Sequence, residues 1–234
     1  MLRLFVPSVS TEPGAVRIGG TELRHLRTLR LGPGARLLVL DGAGNEHEVV
    51  LDALGTREAR ATVVRTNRPQ RDSPLDLVLA PALLKGAKMD LVVEKATEIG
   101  VHRLVPIVSR YAIGQRVALE RWRRIAVAAS KQSGRARLPT IDPPTPLEAL
   151  LRAPWPGLRL LAWEGERGRR LADLPATAAA VVIAVGPEGG FDDAEVDDAH
   201  AHGFETVRLA GRVLRAETAA VVAAALCQHR WGDG

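Results

Sequence analysis

The last third of the chain carries the feature that most constrains its fold: two short apolar runs, each followed by a glycine loop and a helix pattern. The first run, residues 178–185 (AAAVVIAV), is rich in valine and ends at Gly186-Pro187, which is typical of a buried strand. The second, residues 206–209, leads to a loop at Gly211. Because open α/β sheets usually bind ligands in the loops at strand ends, this stretch predicts a ligand pocket.

The pattern alone leaves two interpretations open, a cofactor pocket or glycines that only make tight turns in an ordinary α/β sheet. The loop sequence GPEGG is neither a Walker phosphate loop nor the GxGxxG fingerprint of dinucleotide-binding folds. It is followed by acidic residues from Asp192 onward, which suit the first turn of a helix that ends near Gly203. The chemistry must therefore be sought from other parts of the chain.

The predicted secondary structure changes near residues 67–74, a polar stretch with two prolines that is typical of a linker. Residues 1–70 are mostly short strand-like runs, with a hairpin turn at 41–45 and one helix that Thr21 is predicted to cap. Residues 74–234 alternate strand and helix patterns. They include an apolar stripe from Met89 to Ile99 that predicts a helix ending at Gly100, a strand-like run over 103–108, and a capping box at 145–148. Two domains are expected, 1–70 and 74–234, the second an α/β domain with a mainly parallel sheet and helices on both faces.

Composition narrows the functional classes. The chain has 234 residues, of which 46% are hydrophobic, so a substantial core is expected. One cysteine, Cys227, excludes an intrachain disulfide and fits a reducing compartment, and the histidines have no metal-ligand spacing, so no metal is expected. No signal peptide or membrane-spanning run is evident in the sequence, which favours a cytoplasmic protein with no membrane partner.

The net charge of +5 is concentrated in one segment, which we call the basic segment, residues 103–137. It predicts a surface that faces phosphates, with a solvated, arginine-rich face as the alternative. A second candidate is the first helix, where arginines at three-residue spacing form a stripe beside a leucine stripe; a solvated helix face is equally compatible. The segment has one acid, Glu120, and nine basic residues: Arg103, Arg110, Arg116, Arg121, Arg123, Arg124, Lys131, Arg135 and Arg137.

A family resemblance makes the chemistry specific. GPEGGFDDAE (186–195) followed by LAGRVLRAETA (209–219) resembles the cofactor region of the RsmE family of 16S ribosomal RNA (uracil-1498-N3)-methyltransferases, in the SPOUT class. Further blocks that are similar, in the same order, are KGAKM (85–89), KATEIGV (95–101) and SKQSGR (130–135), with N-terminal matches at Arg3, Phe5, His25-Leu26, Leu29-Arg30 and Asp41-Gly42. The chain departs from the family at Lys131, Ser133, Ala210 and Ala216.

The resemblance implies a PUA-like β-barrel at the N-terminus and an S-adenosylmethionine-binding α/β domain with a deep trefoil knot, in a homodimer. It implies that the cofactor is held mainly by backbone groups of three loops. The cofactor-binding residues expected on this basis are Leu161, Ala162, Trp163, Gly186, Pro187, Glu188, Gly189, Gly190, Leu209, Gly211, Val213, Leu214 and Thr218.

The family's reaction methylates N3 of a uridine in 16S rRNA, expected within the assembled 30S subunit. Because N3 is a poor nucleophile until its proton is lost, our hypothesis gives Arg215 the role of stabilising the resulting anion. Glu217 is the nearest carboxylate in sequence. We expect it to accept hydrogen bonds from backbone amides at the start of a helix, in preference to a role in catalysis. The RNA-binding residues expected are Arg3, Arg24, Arg27, Arg30, Lys88, Arg110, Lys131 and Arg135, of which Arg3, Arg30 and Arg135 would orient the RNA.

Two alternatives stay open at this point. One is a SPOUT methyltransferase with another RNA target. The other is a ribosome-associated RNA-binding protein that has lost catalysis, which Ala210 and the altered SKQSGR block would favour. Binding of the cofactor separates this second alternative from both enzymes.

Overall fold

A computed structural model describes residues 1–7, 14–69, 72–112 and 117–234. Arg116 of the basic segment and residues 70 and 71 of the predicted linker lie outside the described residues. The chain divides into two compact units. The first comprises residues 1–72 and 127–138, and the second comprises 73–126 and 139–234, so the basic segment is shared between them.

The first unit is built on a five-stranded sheet with strand order β1-β3-β4-β5-β2. Strands β1 and β3 are parallel and the other pairs are antiparallel. Two register shifts in the β4–β5 pair, at Glu48/Val49 and Leu51/Ala53, bend this curled sheet. Its elements are β1 (Leu2–Phe5), β2 (Ala15–Ile18), α1 (Gly20–Thr28), β3 (Arg36–Leu40), β4 (Glu46–Leu54) and β5 (Ala59–Asn67).

Local chemistry explains the connections in this unit. The predicted hairpin turn is confirmed, because the Asp41 carboxylate accepts from the backbone N–H groups of Ala43 at 2.8 Å and Asn45 at 3.0 Å. The predicted cap of α1 is wrong. The helix begins at Gly20 with Gly19 as its N-cap, and the Thr21 hydroxyl instead accepts a hydrogen bond from Arg24 at 3.2 Å.

Residues 127–138 complete the first unit with two ion pairs and a backbone bridge. Lys131 Nζ lies 2.8 Å from Glu22 Oε1 on α1, and Arg135 Nε lies 3.1 Å from Asp72 Oδ1. Arg137 forms β-bridges with Gly42 and Ala43 in the β3–β4 turn. These contacts join residues 127–138 to parts of the first unit that are distant from them in sequence.

The second unit carries a six-stranded sheet with strand order β13-β11-β12-β6-β7-β9, parallel at every pair, as predicted. Its elements in chain order are β6 (Asp76–Pro81), α2 (Ala87–Ile99), β7 (Arg103–Leu104), β8 (Ile107–Val108), α3 (Leu119–Ser133), β9 (Thr140–Ile141), β10 (Thr145–Pro146), α4 (Leu147–Arg152), β11 (Leu158–Ala162), a 3₁₀ turn (Leu171–Asp173), β12 (Ala180–Val185), α5 (Asp193–Ala201), β13 (Glu205–Val207) and α6 (Ala216–Trp231).

Both faces of this sheet are covered. Alternate residues of β12 belong to different cores: Val181 and Ile183 pack with α2 and α6, whereas Val182 and Ala184 pack with α4 and α5. This alternation follows from the two-residue period of a strand and explains why β12 reads as a continuous apolar run. Cys227 of α6 lies in the first core, where burial raises the pKa of its thiol to about 12.

Two local predictions fail in the second unit. The capping box at 145–148 does not form, because Thr145 pairs with Ile107 in the β10–β8 ladder and Pro146 is itself the N-cap of α4, without a side-chain bond. The strand predicted over 103–108 is two short strands, β7 and β8. In the described parts of the chain, no helix has both the length and the apolar character to cross a bilayer.

Candidate functional site

A cleft of the second unit lies at the carboxyl ends of β11, β12 and β13, where ligands bind in open α/β sheets. It contains about 790 Å³ of space that protein atoms do not fill, including space open to solvent. Three loops form its walls, with the start of α6 between them. The lining residues are Ala162, Trp163, Glu164, Arg167, Val185, Gly186, Pro187, Glu188, Gly190, Arg208 to Leu214, Ala216 and Ala219.

The loop after β12 is a tight turn that depends on glycine. The Gly190 N–H donates to the Pro187 carbonyl at 3.0 Å, and Gly190 has φ of +73°, a conformation that side chains rarely adopt. A β-carbon at Gly190 would also collide with the Glu164 carboxylate. The turn is followed directly by α5, where Asp192 accepts from the Glu195 N–H at 2.8 Å and Glu195 accepts from the Asp192 N–H at 3.1 Å. Glycine and this capping box together fix the wall.

A second wall, residues 163–170 after β11, is held by Glu166. Its Oε1 accepts from the N–H groups of Gly168 at 2.7 Å and Arg169 at 3.0 Å, and its Oε2 accepts from the Thr206 hydroxyl at 2.7 Å. The hydroxyl bond, followed by the two backbone bonds, lowers the pKa of the Glu166 carboxyl to about 2. Glu166 is therefore ionised near neutral pH and joins this loop to β13.

Most of the residues expected to bind the cofactor line this cleft, namely Ala162, Trp163, Gly186, Pro187, Glu188, Gly190, Leu209, Gly211, Val213 and Leu214. Three others lie elsewhere. Leu161 is fully buried in the core beside α4 and α5, Gly189 faces the Tyr111 side chain, and Thr218 is exposed on α6. Glu164, Arg167, Arg208 and Arg212 also line the cleft and were not predicted to do so. Their polar character next to the glycine loops is the sequence signal that could have indicated it.

Charged residues cluster beside the cleft, where the loop after β12 meets the starts of α2 and α6. Lys88 Nζ lies 2.5 Å from Glu188 Oε1 and 3.7 Å from Glu217 Oε2. The hydrogen bond to Glu188 raises the pKa of Lys88 and lowers that of Glu188. Glu217 Oε2 is buried and accepts no hydrogen bond from the described residues, so this oxygen faces Lys88 and does not satisfy helix amides as expected. Arg215, the N-cap of α6, is exposed between Leu214 and Ala216, which line the cleft.

The residues expected to contact RNA from the first unit differ in their availability. Arg24 and Arg30 are exposed, and Arg30 follows α1 with φ of +53°. Arg27 donates to the carbonyls of Gly55 and Thr56. The other three are held within the unit: Arg3 donates to the Lys131 carbonyl at 3.3 Å, Lys131 is paired with Glu22, and Arg135 is only 4% exposed beside Asp72.

The basic segment is largely neutralised by acids from other parts of the chain. In the second unit, Arg103 is paired with Asp142 at 2.7 Å, Arg121 with Asp90 at 2.5 Å, and Arg110 with Asp192 at 2.7 Å. Arg123 is paired with Glu120, the only acid within the segment. Of the expected RNA contacts here, Arg110 remains 67% exposed despite its ion pair. Within the parts of the chain that the structure describes, no group of three or more His, Cys, Asp or Glu could hold a metal ion.

Comparison with known proteins finds relatives that match most of the chain. Residues 71–228 match the family model described as RNA methyltransferase domain. A Synechocystis protein named ribosomal RNA small subunit methyltransferase E is 33% identical, over 95% of this chain and 76% of that protein.

Two solved structures have the same fold along the whole chain. A ribosomal RNA small subunit methyltransferase E from Neisseria gonorrhoeae, bound to S-adenosyl methionine, is 31% identical with a TM-score of 0.90, covering 100% of this chain and 99% of that one. A putative methyltransferase from Legionella pneumophila, also in complex with the cofactor, is 27% identical with a TM-score of 0.89 and the same coverage.

Proposed function

This chain belongs to the family of ribosomal RNA small subunit methyltransferases E, and from that premise we propose that it methylates N3 of one uridine in 16S rRNA. It is an enzyme that uses S-adenosylmethionine to methylate ribosomal RNA. The observation that carries the proposal is the cleft at the carboxyl ends of β11, β12 and β13, two of whose three walls are the loops that contain the motifs GPEGGFDDAE (186–195) and LAGRVLRAETA (209–219).

The residues present fit this cofactor. The cleft lies where open α/β sheets bind ligands, and its walls expose backbone groups at Gly186 and Gly190, where no β-carbon blocks the approach. Leu209, Val213 and Ala219 supply apolar surface, and Ala210 also lines the cleft. When bound, S-adenosylmethionine supplies a methyl group on a sulfonium sulfur, which is an activated electrophile.

The side chains beside the cleft have separate tasks in this proposal. N3 of a uridine carries a proton that has to pass to solvent water before the nitrogen can accept a methyl group. Arg215, exposed next to the cleft, stabilises the negative charge that then spreads over the uracil oxygens. Lys88 and Glu217 form an ion pair behind Arg215, so Glu217 holds Lys88 and the start of α6 in place.

RNA is held by exposed cations in this proposal. Arg24 and Arg30 in the first unit and Arg110 in the second have solvent-accessible guanidinium groups suited to phosphates. Arg3, Arg27, Lys131 and Arg135 support the fold of the first unit through the contacts described above. Lys88, held by Glu188 and Glu217, supports the cleft.

Finer features of the fold and assembly are also part of the proposal. The curled five-stranded sheet is a PUA-like barrel, and the crossing of the chain from edge strand β13 to α6, which packs against central strands β6 and β12, is part of a deep trefoil knot. The enzyme acts as a homodimer on the 30S subunit in the cytoplasm. Exposed apolar side chains support an interface of the second unit, among them Val213 at 83% and Tyr111 at 46%.

The test is transfer of labelled methyl groups from S-adenosylmethionine to 30S subunits that lack this modification, with the product nucleoside identified by mass spectrometry. The expected product is N3-methyluridine at one site of 16S rRNA. Cofactor binding without transfer to these subunits would point to another RNA target, and absence of both would favour an RNA-binding protein without catalysis.

Replacing Arg215 tests its assigned role. Because loss of one charge-stabilising donor typically costs about 100-fold or more in kcat, Arg215→Ala is expected to lower turnover by about that factor while cofactor affinity changes little. Arg152→Ala, which removes an exposed arginine at the end of α4, is the matched control. Turnover of Arg215→Ala close to that of the unchanged protein would remove Arg215 from the mechanism.

A further inference from the structure

Glu166 and Thr206 form a side-chain hydrogen bond that joins two walls of the cleft. Glu166 lies in the loop 163–170, which contributes Trp163, Glu164 and Arg167 to one wall. Thr206 lies in β13, two residues before Arg208, where the wall formed by residues 208–214 begins. Neither residue lines the cleft. Their 2.7 Å hydrogen bond therefore connects two walls from behind.

The connection is strong for a pair of side chains. The Thr206 side chain is buried with its residue only 3% exposed, so its hydroxyl has little access to water. The carboxylate accepts three hydrogen bonds in total, and hydrogen bonds to a charged acceptor are stronger than neutral ones. Two of the three keep the loop's own backbone folded over Glu166, so the loop and β13 are bound to the same two oxygens.

A backbone ladder runs beside this side-chain bond. The Trp163 N–H donates to the Val207 carbonyl at 3.1 Å, and the Arg208 N–H donates to the Arg169 carbonyl at 2.9 Å. These bonds pair the first and last parts of the loop with β13 and its continuation. The residues between them have only Glu166 to join them to the strand among the described contacts, and they include Glu164 and Arg167 of the cleft wall.

His200 on α5 extends the connection. Its Nε2 lies 3.4 Å from Thr206 Oγ1, and since the hydroxyl proton is donated to Glu166, the histidine ring nitrogen is the donor in this contact. Glu166, Thr206 and His200 thus form a chain of three side chains that ends on α5, the helix that follows the glycine loop 186–190.

We propose that Glu166 and Thr206 are positioning residues that set the spacing of two cleft walls and thereby the affinity for S-adenosylmethionine. This inference rests on the proposed function. The pair touches neither the cofactor cleft nor the exposed Arg215, so it acts on cofactor binding and not on the methyl-transfer step itself.

Thr206→Val is the variant that tests the proposal, because valine has the shape of threonine and lacks only the hydroxyl. We expect the dissociation constant for S-adenosylmethionine, measured by calorimetry, and the KM for it to rise about tenfold, while kcat at saturating cofactor stays within about twofold. Thr206→Ser, which keeps the hydroxyl, is expected to restore affinity to within about threefold of the unchanged protein.

Two further variants keep the result interpretable. Glu166→Ala removes the same bond from the other partner and is expected to weaken cofactor binding at least as much. Asp197→Asn is the matched control, because Asp197 is an exposed acid on α5 and is not part of the Glu166–Thr206–His200 chain. We expect it to bind the cofactor normally. Melting temperatures of all variants exclude unfolding as the cause of weak binding.

The outcomes are distinct. Unchanged affinity in a folded Thr206→Val protein would overturn the positioning role, as would equal losses in the valine and serine variants or a loss confined to kcat. Failure of the unchanged protein to bind the cofactor would instead refute the proposed function.

Discussion

The glycine loop at 186–190 and the basic segment at 103–137 are both conspicuous in the sequence. The loop has the position that its pattern predicts, whereas most of the basic segment is not free to bind RNA. The loop lies in the cleft as its pattern predicts, with Gly190 in the left-handed region. The basic segment is divided between two units, and at least six of its described cations are paired with acids, namely Arg103, Arg110, Arg121, Arg123, Lys131 and Arg135.

The difference lies in the distance over which each property is decided. A glycine turn depends on the backbone angles of a few consecutive residues, so a sequence of four or five residues suffices to predict it. The availability of a cation depends on its partner, and Lys131 and Glu22 are 109 residues apart in sequence while Arg110 and Asp192 are 82 apart. A local excess of charge therefore predicts a binding surface only when the acids elsewhere are known.

The sharpest test of this comparison is Arg135, which the sequence marks as an RNA contact and the structure buries beside Asp72. Arg135→Ala leaves a partly buried carboxylate without its partner, so we expect a loss of about 3 kcal/mol in the free energy of unfolding. Chemical denaturation measures it. The exposed Arg24→Ala, with an expected change within about 0.5 kcal/mol, is the control. Equal stability of the two variants would show that the Arg135–Asp72 ion pair does not stabilise the first unit.

Gly190 tests the other side of the comparison. Gly190→Ala forces a side chain to φ of +73° beside Glu164, and the expected consequence is a roughly tenfold loss of S-adenosylmethionine affinity, measured by calorimetry. Gly211→Ala is the comparator in the same cleft, because a β-carbon there meets no atom within 4 Å and φ is not positive. If both substitutions had the same effect, backbone angle would not be what the loop requires.

Arg30 combines both properties, since it is an exposed cation in a glycine-like conformation. Arg30→Gly is expected to raise the free energy of unfolding by about 1 kcal/mol by relieving strain at φ of +53°. It should also weaken RNA binding and reduce the salt slope of that binding by about 1. Arg30→Lys, which keeps charge and strain, separates the two effects. Higher stability with unchanged RNA affinity would show that Arg30 does not contact phosphates.

Much of the fold follows from the sequence because its determinants are periodic. The α2 stripe and its stop at Gly100, the continuous apolar run of β12, and the alternation of strands and helices all appear as predicted. Thr21 and Thr145 were assigned wrongly as caps because a threonine also suits other local bonds. Thr145 pairs with Ile107, a residue 38 positions earlier, in the β10–β8 ladder. Rules that consider only neighbouring residues do not predict such a pairing.

The cleft was predictable as a set of loops and less so residue by residue. Leu161 is next to Ala162 in sequence but points to the opposite face of the sheet, into a different core, as alternation in a strand requires. Which of the two faces the cleft depends on how β11 is placed between β12 and β13. The role of Glu166 was not predicted because its hydrogen-bond partner, Thr206, is 40 residues away in sequence.

One helix has a consequence for the order in which this protein can be made. Residues 127–133 of α3 belong to the first unit although α3 begins in the second. The N-terminal sheet is therefore missing its partners for Glu22 and Asp72 when residue 72 leaves the ribosome. About sixty further residues have to be translated before Lys131 and Arg135 can supply these contacts. A fragment cut at the linker is incomplete for the same reason, and the first unit matures only after much of the second has been synthesised.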